Sequence, residues 1–138
     1  MSTSLKRSRS ADGAIHIAPE IGGIVVLSFE GEFDRWNAPT VGASLDQALE
    51  TRMDLILDLS EVTFLDSSVI NELFRGAQAA KASGRVAVLQ LGTAPFVERI
   101  LEFVRIESVL PRARRRDEAI QLIELGAARG GEPGGITG

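Results

Sequence analysis

Residues 53–59, MDLILDL, form a near-continuous apolar run with polar residues on either side. A strand with one face in water alternates apolar and polar side chains, whereas a strand apolar on both faces needs cover on both. That geometry belongs to a mostly parallel sheet with helices above and below it. Asp58 interrupts the run, so it is either paired in the interior or marks the strand's end. The continuation is as informative. Residues 55–74, LILDLSEVTFLDSSVINELF, read as the buried strand, a short polar loop, a second apolar touch, and Asp66, Ser67 and Ser68 opening a helix.

The rest of the chain supplies partners for that strand. Residues 14–18, AIHIA, alternate as a short strand, with Ile15 and Ile17 on one face. Turn chemistry over 19–23 leads into a second strand at 24–30, IVVLSFE, so the two pair antiparallel. Residues 31–36 read as a loop. Asn37 is a helix N-cap and Pro39 suits a first turn, in a helix reaching about residue 50 with Val41, Leu45, Ala48 and Leu49 inward. A second helix is predicted over 67–83, with Val69, Ile70, Leu73, Phe74, Ala77 and Ala80 on one stripe. On that spacing Ser67 lies at the stripe's edge and Ser68 well outside it. Gly84 ends the helix in the left-handed conformation. A fourth strand follows at 86–91, then a helix over 94–104 capped by Thr93, a brief strand at 109–110, and a helix over 116–126. The Ser- and Arg-rich residues 1–12 read as a disordered arm, and the Gly-rich residues 127–138 as a flexible tail. One α/β domain over 13–126 results, with a mixed, mostly parallel sheet of four to five strands, an antiparallel first strand and about four helices.

Composition removes several function classes. There is no Cys, hence no disulfide framework, thiolate metal site or Cys nucleophile, and His16 is the only His. His16 reads as a plain edge residue, so neither a metal site nor a catalytic set is expected, and the chain is not read as an enzyme. No P-loop and no G-x-G-x-x-G occurs, so no nucleotide cofactor is expected. No apolar run approaches the roughly 18–20 residues that cross a bilayer. The basic start lacks the apolar core of a secretory signal, and the absence of Cys fits a reducing cytoplasm, where the chain is expected. A net charge of -4 argues against nucleic acid as partner. The basic run 112–116 is followed at once by Asp117 and Glu118 and reads as a solvated loop leading into a helix. Asp58 does not suit a receiver-type phosphoacceptor: Glu30, Glu32 and Asp34 are spaced by two, and the only lysines are Lys6 and Lys81.

Asp66, Ser67 and Ser68 remain. A hydroxyl or carboxylate at a helix start accepts hydrogen bonds from the free amides of the first turn, and capping is the plainest role for such a residue. One polar residue suffices for that; three in a row also suit a phosphorylation site. A phosphate at a helix N-terminus meets the positive end of the dipole, so the fold tolerates it while a docked partner feels the added charge.

Two segments, Gly31-Glu32-Phe33-Asp34 and 55–68, LILDLSEVTFLDSS, resemble those of STAS domains, and within that superfamily those of bacterial anti-sigma factor antagonists. The element order from about residue 14 to 125 is similar as well. The resemblance implies that Ser67 is phosphorylated by a partner anti-sigma factor that doubles as a serine kinase. It implies that the unmodified chain binds this kinase and frees a sigma factor. Phosphorylation releases the chain, a protein phosphatase restores it, and transcription is regulated by partner switching. It also sets Asp34 near the phosphosite. The expected docking surface comprises Glu32, Asp34, Arg35 and Trp36 on the loop, with Asp66, Ser68, Asn71 and Arg75 at the start and outer face of the helix. Trp36 suits a partner anchor and a cover for the base of the first helix equally. Val69 stands where the family usually has Gly, a change that bears on helix start and partner fit. The alternative is a constitutive STAS adaptor in a signalling scaffold or a lipid or anion transport complex, with Ser67 as a cap only.

Overall fold

The structure, a computed structural model, describes residues 13–20, 22–93 and 110–130. Five strands, β1 (Ala14–Glu20), β2 (Ile24–Phe33), β3 (Asp54–Leu65), β4 (Ala87–Gln90) and β5 (Arg112–Ala113), form one sheet in the order β1-β2-β3-β4-β5. β1 runs antiparallel to β2 and every other pairing is parallel. Among the described residues there are three helices, α1 (Ala38–Leu49), α2 (Ser67–Ala82) and α3 (Arg116–Gly130). The helix predicted over 94–104 lies outside the described residues.

The run that opened the sequence reading is covered on both faces. Leu55, Leu57 and Leu59 point to one side with Val25, Leu27, Phe29 and Leu89, and pack under Val41 and Leu45 of α1 and Val69, Ile70, Leu73 and Ala77 of α2. Ile56 points to the other side with Ile24, Val26 and Val88, beneath Ala119 and Ile123 of α3. Successive side chains of a strand alternate faces, so a strand buried on both must be apolar throughout. Asp58 shares the face of Ile56, and α3 brings Arg116 to meet it: Nη2 donates to Asp58 Oδ2 at 3.0 Å. Arg116 Nε also donates to Gln90 Oε1, and Nη1 lies 3.6 Å from Glu20. The interrupting carboxylate is therefore paired inside the fold.

Several boundaries differ from the sequence reading. β1 continues through Pro19 to Glu20, which an edge strand permits because its outer side needs no ladder donor. Gly22 and Gly23, at φ 88° and 78°, then turn the chain into β2. The loop expected at 31–36 begins only at Asp34, since β2 runs through Gly31, Glu32 and Phe33. β3 runs past Leu59 to Leu65, and register shifts between Ser28 and Glu30 and between Gly31 and Glu32 absorb its extra residues. Gly31 takes φ 94° between those shifts, a conformation that glycine adopts without strain. Of the brief strand expected at 109–110, residue 109 lies outside the described residues and Leu110 is not in a strand; β5 is Arg112–Ala113, paired with Leu89 and Gln90 of β4. Gly84, at φ 77°, follows α2 in the left-handed conformation expected of it.

Candidate functional site

The extensions of β2 and β3 build the site. Glu32 pairs with Phe64 and Phe33 with Leu65 at the far end of the ladder. One step further the Asp66 amide donates to the Phe33 carbonyl at 2.9 Å. That bond holds the turn after β2 beside the start of α2. The turn is closed by its own polar side chains. The Asn37 amide donates to the Asp34 carbonyl at 3.0 Å. The Asp34 amide donates to Asn37 Oδ1, and the Trp36 amide to Asp34 Oδ1, each at 2.9 Å. Short Asp and Asn side chains bind backbone two or three residues away in this manner. Asn37 precedes α1 as expected but makes no side-chain cap bond, because its oxygen is committed backwards to Asp34. Arg35 and Trp36 stand at the turn's exposed tip. Trp36 is 79% exposed, and the Arg35 guanidinium lies 5.5 Å from its ring centroid. Trp36 therefore does not cover the base of α1.

Asp66 begins α2 with an extended backbone, φ -95° and ψ 156°. Its Oδ1 accepts from the Ser68 amide at 2.7 Å and from the Ser68 hydroxyl at 2.8 Å. The backbone bond from Ser68, then the hydroxyl bond, hold the Asp66 carboxyl below the usual carboxylate range. Desolvation opposes these bonds, and the positive charge of Arg35, the smallest of the four effects, acts with them. Ser67, the first residue of the helix, is exposed, and its hydroxyl makes no hydrogen bond among the described residues. Ser68 is half-buried. The helical spacing had set Ser67 nearer the apolar stripe and Ser68 farther out; the exposures are the reverse. The reason is the cap, which draws the Ser68 side chain back to Asp66. Val69 is fully buried beneath them in the core.

The other expected surface residues divide. Glu32 is exposed, on a strand rather than a loop, and Asp34 is half-buried within its turn. Asn71 is exposed one turn along α2. Arg75 is taken up by the fold itself: Nε and Nη2 donate to Glu72 Oε1 at 3.0 and 2.8 Å, and Nη1 lies 3.6 Å from Asp46 of α1. It bridges α1 and α2 where Gly42 lets the helices approach; a Cβ on Gly42 would lie 2.6 Å from Glu72 Oε1. Glu32, Asp34, Arg35, Trp36, Asp66, Ser67 and Ser68 thus gather around the ends of β2 and β3, while Arg75 stands apart in its clamp. Phe64, 42% exposed and opposite Glu32, belongs to the same end and was not singled out from the sequence. The signal was present in the apolar pair Phe64-Leu65 directly before Asp66, of which only Leu65 is buried.

Other polar groups serve the fold. In the basic run, Arg115 pairs with Asp117 at 3.2 Å, and the Arg114 and Arg115 amides donate to Glu118 Oε1, which caps α3. A cavity of about 240 Å³ beside Leu91, Gly92, Arg112 and Arg114 has this engaged Glu118 as its carboxylate. His16, on edge strand β1, lies 4.0 Å from Glu30 with both side chains largely in water. Among the described residues no three His, Asp or Glu side chains converge as metal ligands would, and no helix is long and apolar enough to cross a membrane.

Comparison with known proteins agrees with this architecture. The chain is similar in structure to an anti-sigma factor antagonist from Mycobacterium paratuberculosis, at 22% identity and a TM-score of 0.71 over 82% of this chain and 95% of that one. It is similar to an anti-sigma-factor antagonist (STAS) domain protein from Planctomyces limnophilus, at 23% identity and a TM-score of 0.67, covering 79% and 96% of the two chains. It is similar to the Bacillus cell fate determinant SpoIIAA in its phosphorylated form, at 19% identity and a TM-score of 0.62, covering 80% and 99%. These likenesses establish the SpoIIAA-like α/β fold. Comparison with the curated proteins finds no match. The family model described as the STAS domain matches residues 17–119, most of the described sheet and helices, and the chain belongs to the STAS domain family.

Proposed function

We propose that this protein is an anti-sigma factor antagonist, a protein-binding switch without enzymatic activity of its own, and that Ser67 is its phospho-acceptor. The single observation that carries this reading is the division of labour at the start of α2. Asp66 and Ser68 complete the cap between them, and the Ser67 hydroxyl is exposed and unengaged. A hydroxyl needed for the cap would have to be pulled from it before it could react. Ser67 is free to do so with the helix intact.

In this mechanism the unmodified chain docks an anti-sigma factor with serine kinase activity through Glu32, the Asp34–Trp36 turn and the start of α2. The Ser67 Oγ attacks the γ-phosphorus of the partner's ATP. The bond to the β,γ-bridging oxygen breaks, ADP leaves, and the hydroxyl proton passes to a base of the kinase. The product carries about two additional negative charges beside Asp66. The helix tolerates them at its positive end, whereas the docked face must desolvate them against neighbouring carboxylates. A loss of about 3 kcal/mol lowers affinity roughly a hundredfold, which is sufficient for release. A protein phosphatase resets the switch. Val69 bears on the alternative of a constitutive adaptor. Its side chain is wholly buried in the core, so it is not itself part of the surface that a partner meets.

The test is a pull-down from the native cell's lysate, with ATP, using wild type, Ser67→Ala and Ser67→Asp as baits, and with phosphate mapped on each. Capture of a kinase by wild type and Ser67→Ala but not by Ser67→Asp, with phosphate on Ser67, is the expected result. Capture of one transport or scaffold partner by all three, without phosphate, identifies a constitutive adaptor instead.

A further inference from the structure

The Arg35 side chain forms no hydrogen bond among the described residues. It is exposed and has no ion pair among the described residues; its recorded contact is the face of Trp36, 5.5 Å away. Three acidic residues, Glu32, Asp34 and Asp66, lie at the same end of the sheet. The other arginine on this part of the fold, Arg75, is held by Glu72 and Asp46. Arg35 and Ser67 each follow by two residues the last ladder pair, Phe33 and Leu65, and the 2.9 Å bond from the Asp66 amide to the Phe33 carbonyl fixes the two segments side by side. The Arg35 charge is already felt at Asp66, where it helps to lower the carboxyl's pKa.

We propose that a phosphate on Ser67 is bound in cis by Arg35, and that the guanidinium leaves the Trp36 ring to bind it. The proposal rests on the reading of Ser67 as phospho-acceptor and adds a second action to it. The physical reason is local charge balance. A phosphate beside the Asp66 carboxylate gains from whichever cation can reach it, and a guanidinium binds phosphate through two parallel donors, which is stronger than its hold on an exposed ring. Arg35 has rotamer freedom and a long stem, and among the described residues no side-chain partner to abandon other than Trp36. Phosphorylation then does two things to a docked kinase. It adds negative charge, and it strips the Arg35 cation from the turn tip, leaving Trp36 bare. The switch changes the shape of its surface at Arg35 and Trp36 without moving the backbone.

Trp36 is the only tryptophan of the chain, so its fluorescence reports this exchange directly. The experiment installs phosphoserine at position 67 during synthesis, with no kinase involved, in the wild-type background and in Arg35→Ala and Arg35→Lys. Trp36 emission and the second ionisation of the phosphate, followed by phosphorus NMR, are then measured. The expected result is an emission change on phosphorylation in the Arg35 chain that is absent in Arg35→Ala. The second ionisation in the Arg35 chain should lie about half a unit below that in Arg35→Ala, with Arg35→Lys between them. Equal ionisation in all three chains, or an emission change that persists in Arg35→Ala, would overturn the proposal. Since the phosphoserine is installed without a kinase, this outcome is independent of whether the cell modifies Ser67, which the pull-down decides.

Discussion

The carboxylate of Asp66 binds both the amide and the hydroxyl of Ser68, at 2.7 and 2.8 Å, and passes over Ser67 in doing so. Two adjacent serines of identical chemistry are thereby given different roles. Ser68 is spent on the helix cap, and Ser67 faces solvent at the first position of the helix.

The cap is separable from Ser67 by stability. Asp66→Ala removes the acceptor for the Ser68 amide and should lower Tm by roughly a few degrees. Ser67→Ala should stay within about 0.5 kcal/mol of wild type, as expected for an exposed side chain without partners. Thermal unfolding of the two variants makes the comparison, and equal losses would place Ser67 in the cap.

Acid should weaken the start of α2 in a defined direction. The folded-state pKa of Asp66 is lowered, chiefly by the Ser68 amide bond. Its stabilising contribution is therefore fully present above the ordinary carboxylate value of about 3.9, and is lost as pH falls through the lowered folded value. Carboxyl titration by NMR should show Ser68→Ala raising the Asp66 value part of the way back, since the amide bond survives. Asp66→Asn should remove this contribution to the pH dependence.

Arg116 should matter more than its half-exposed side chain suggests. It serves Asp58, whose side chain is 13% exposed, and Gln90, 8% exposed. Arg116→Met leaves Gln90 Oε1 without this donor and Asp58 with only its two bonds from Ser60, and should cost about 1–3 kcal/mol. Denaturant unfolding of Arg116→Met, Asp58→Asn and the double variant should give less than additive losses, because either change alone breaks the same pair.

Gly31 sets the geometry of the site from a distance. At φ 94° a Val side chain is strained, and Gly31→Val should cost about 1–3 kcal/mol. The loss should be concentrated beyond the bulge. Hydrogen exchange should show faster opening of the Asp66 amide, which is bonded to Phe33, than of the Leu57 amide in the first half of β3.

These contrasts explain what could be read from the sequence. The two-faced strand of Leu55, Ile56 and Leu57 and the stripe of α2 were readable because regular elements impose regular burial. The second half of β3 was not: its buried residues, Leu59, Val62 and Leu65, fall at spacings of three because register shifts break the alternation of two. The same irregularity hid Phe64 and turned Glu32 from a loop residue into a strand residue. β5, two residues long, carries too little pattern to be located. The position of the site at Asp66-Ser67-Ser68 was readable from residue type, but the assignment of cap and free hydroxyl was not. That choice is made by side-chain bonds of Asp66, which periodicity does not encode. The ion pairs of Arg75 were hidden for a similar reason, as Asp46 reaches it from another helix.

The most direct measurement is the affinity of the proposed partner, the kinase captured in the pull-down, for this chain with unmodified Ser67 and with phosphoserine at that position, by titration calorimetry without ATP. A loss of about a hundredfold on phosphorylation is the expected result. Equal affinities for the two forms would contradict the switch and leave Asp66, Ser67 and Ser68 as the start of a helix and nothing more.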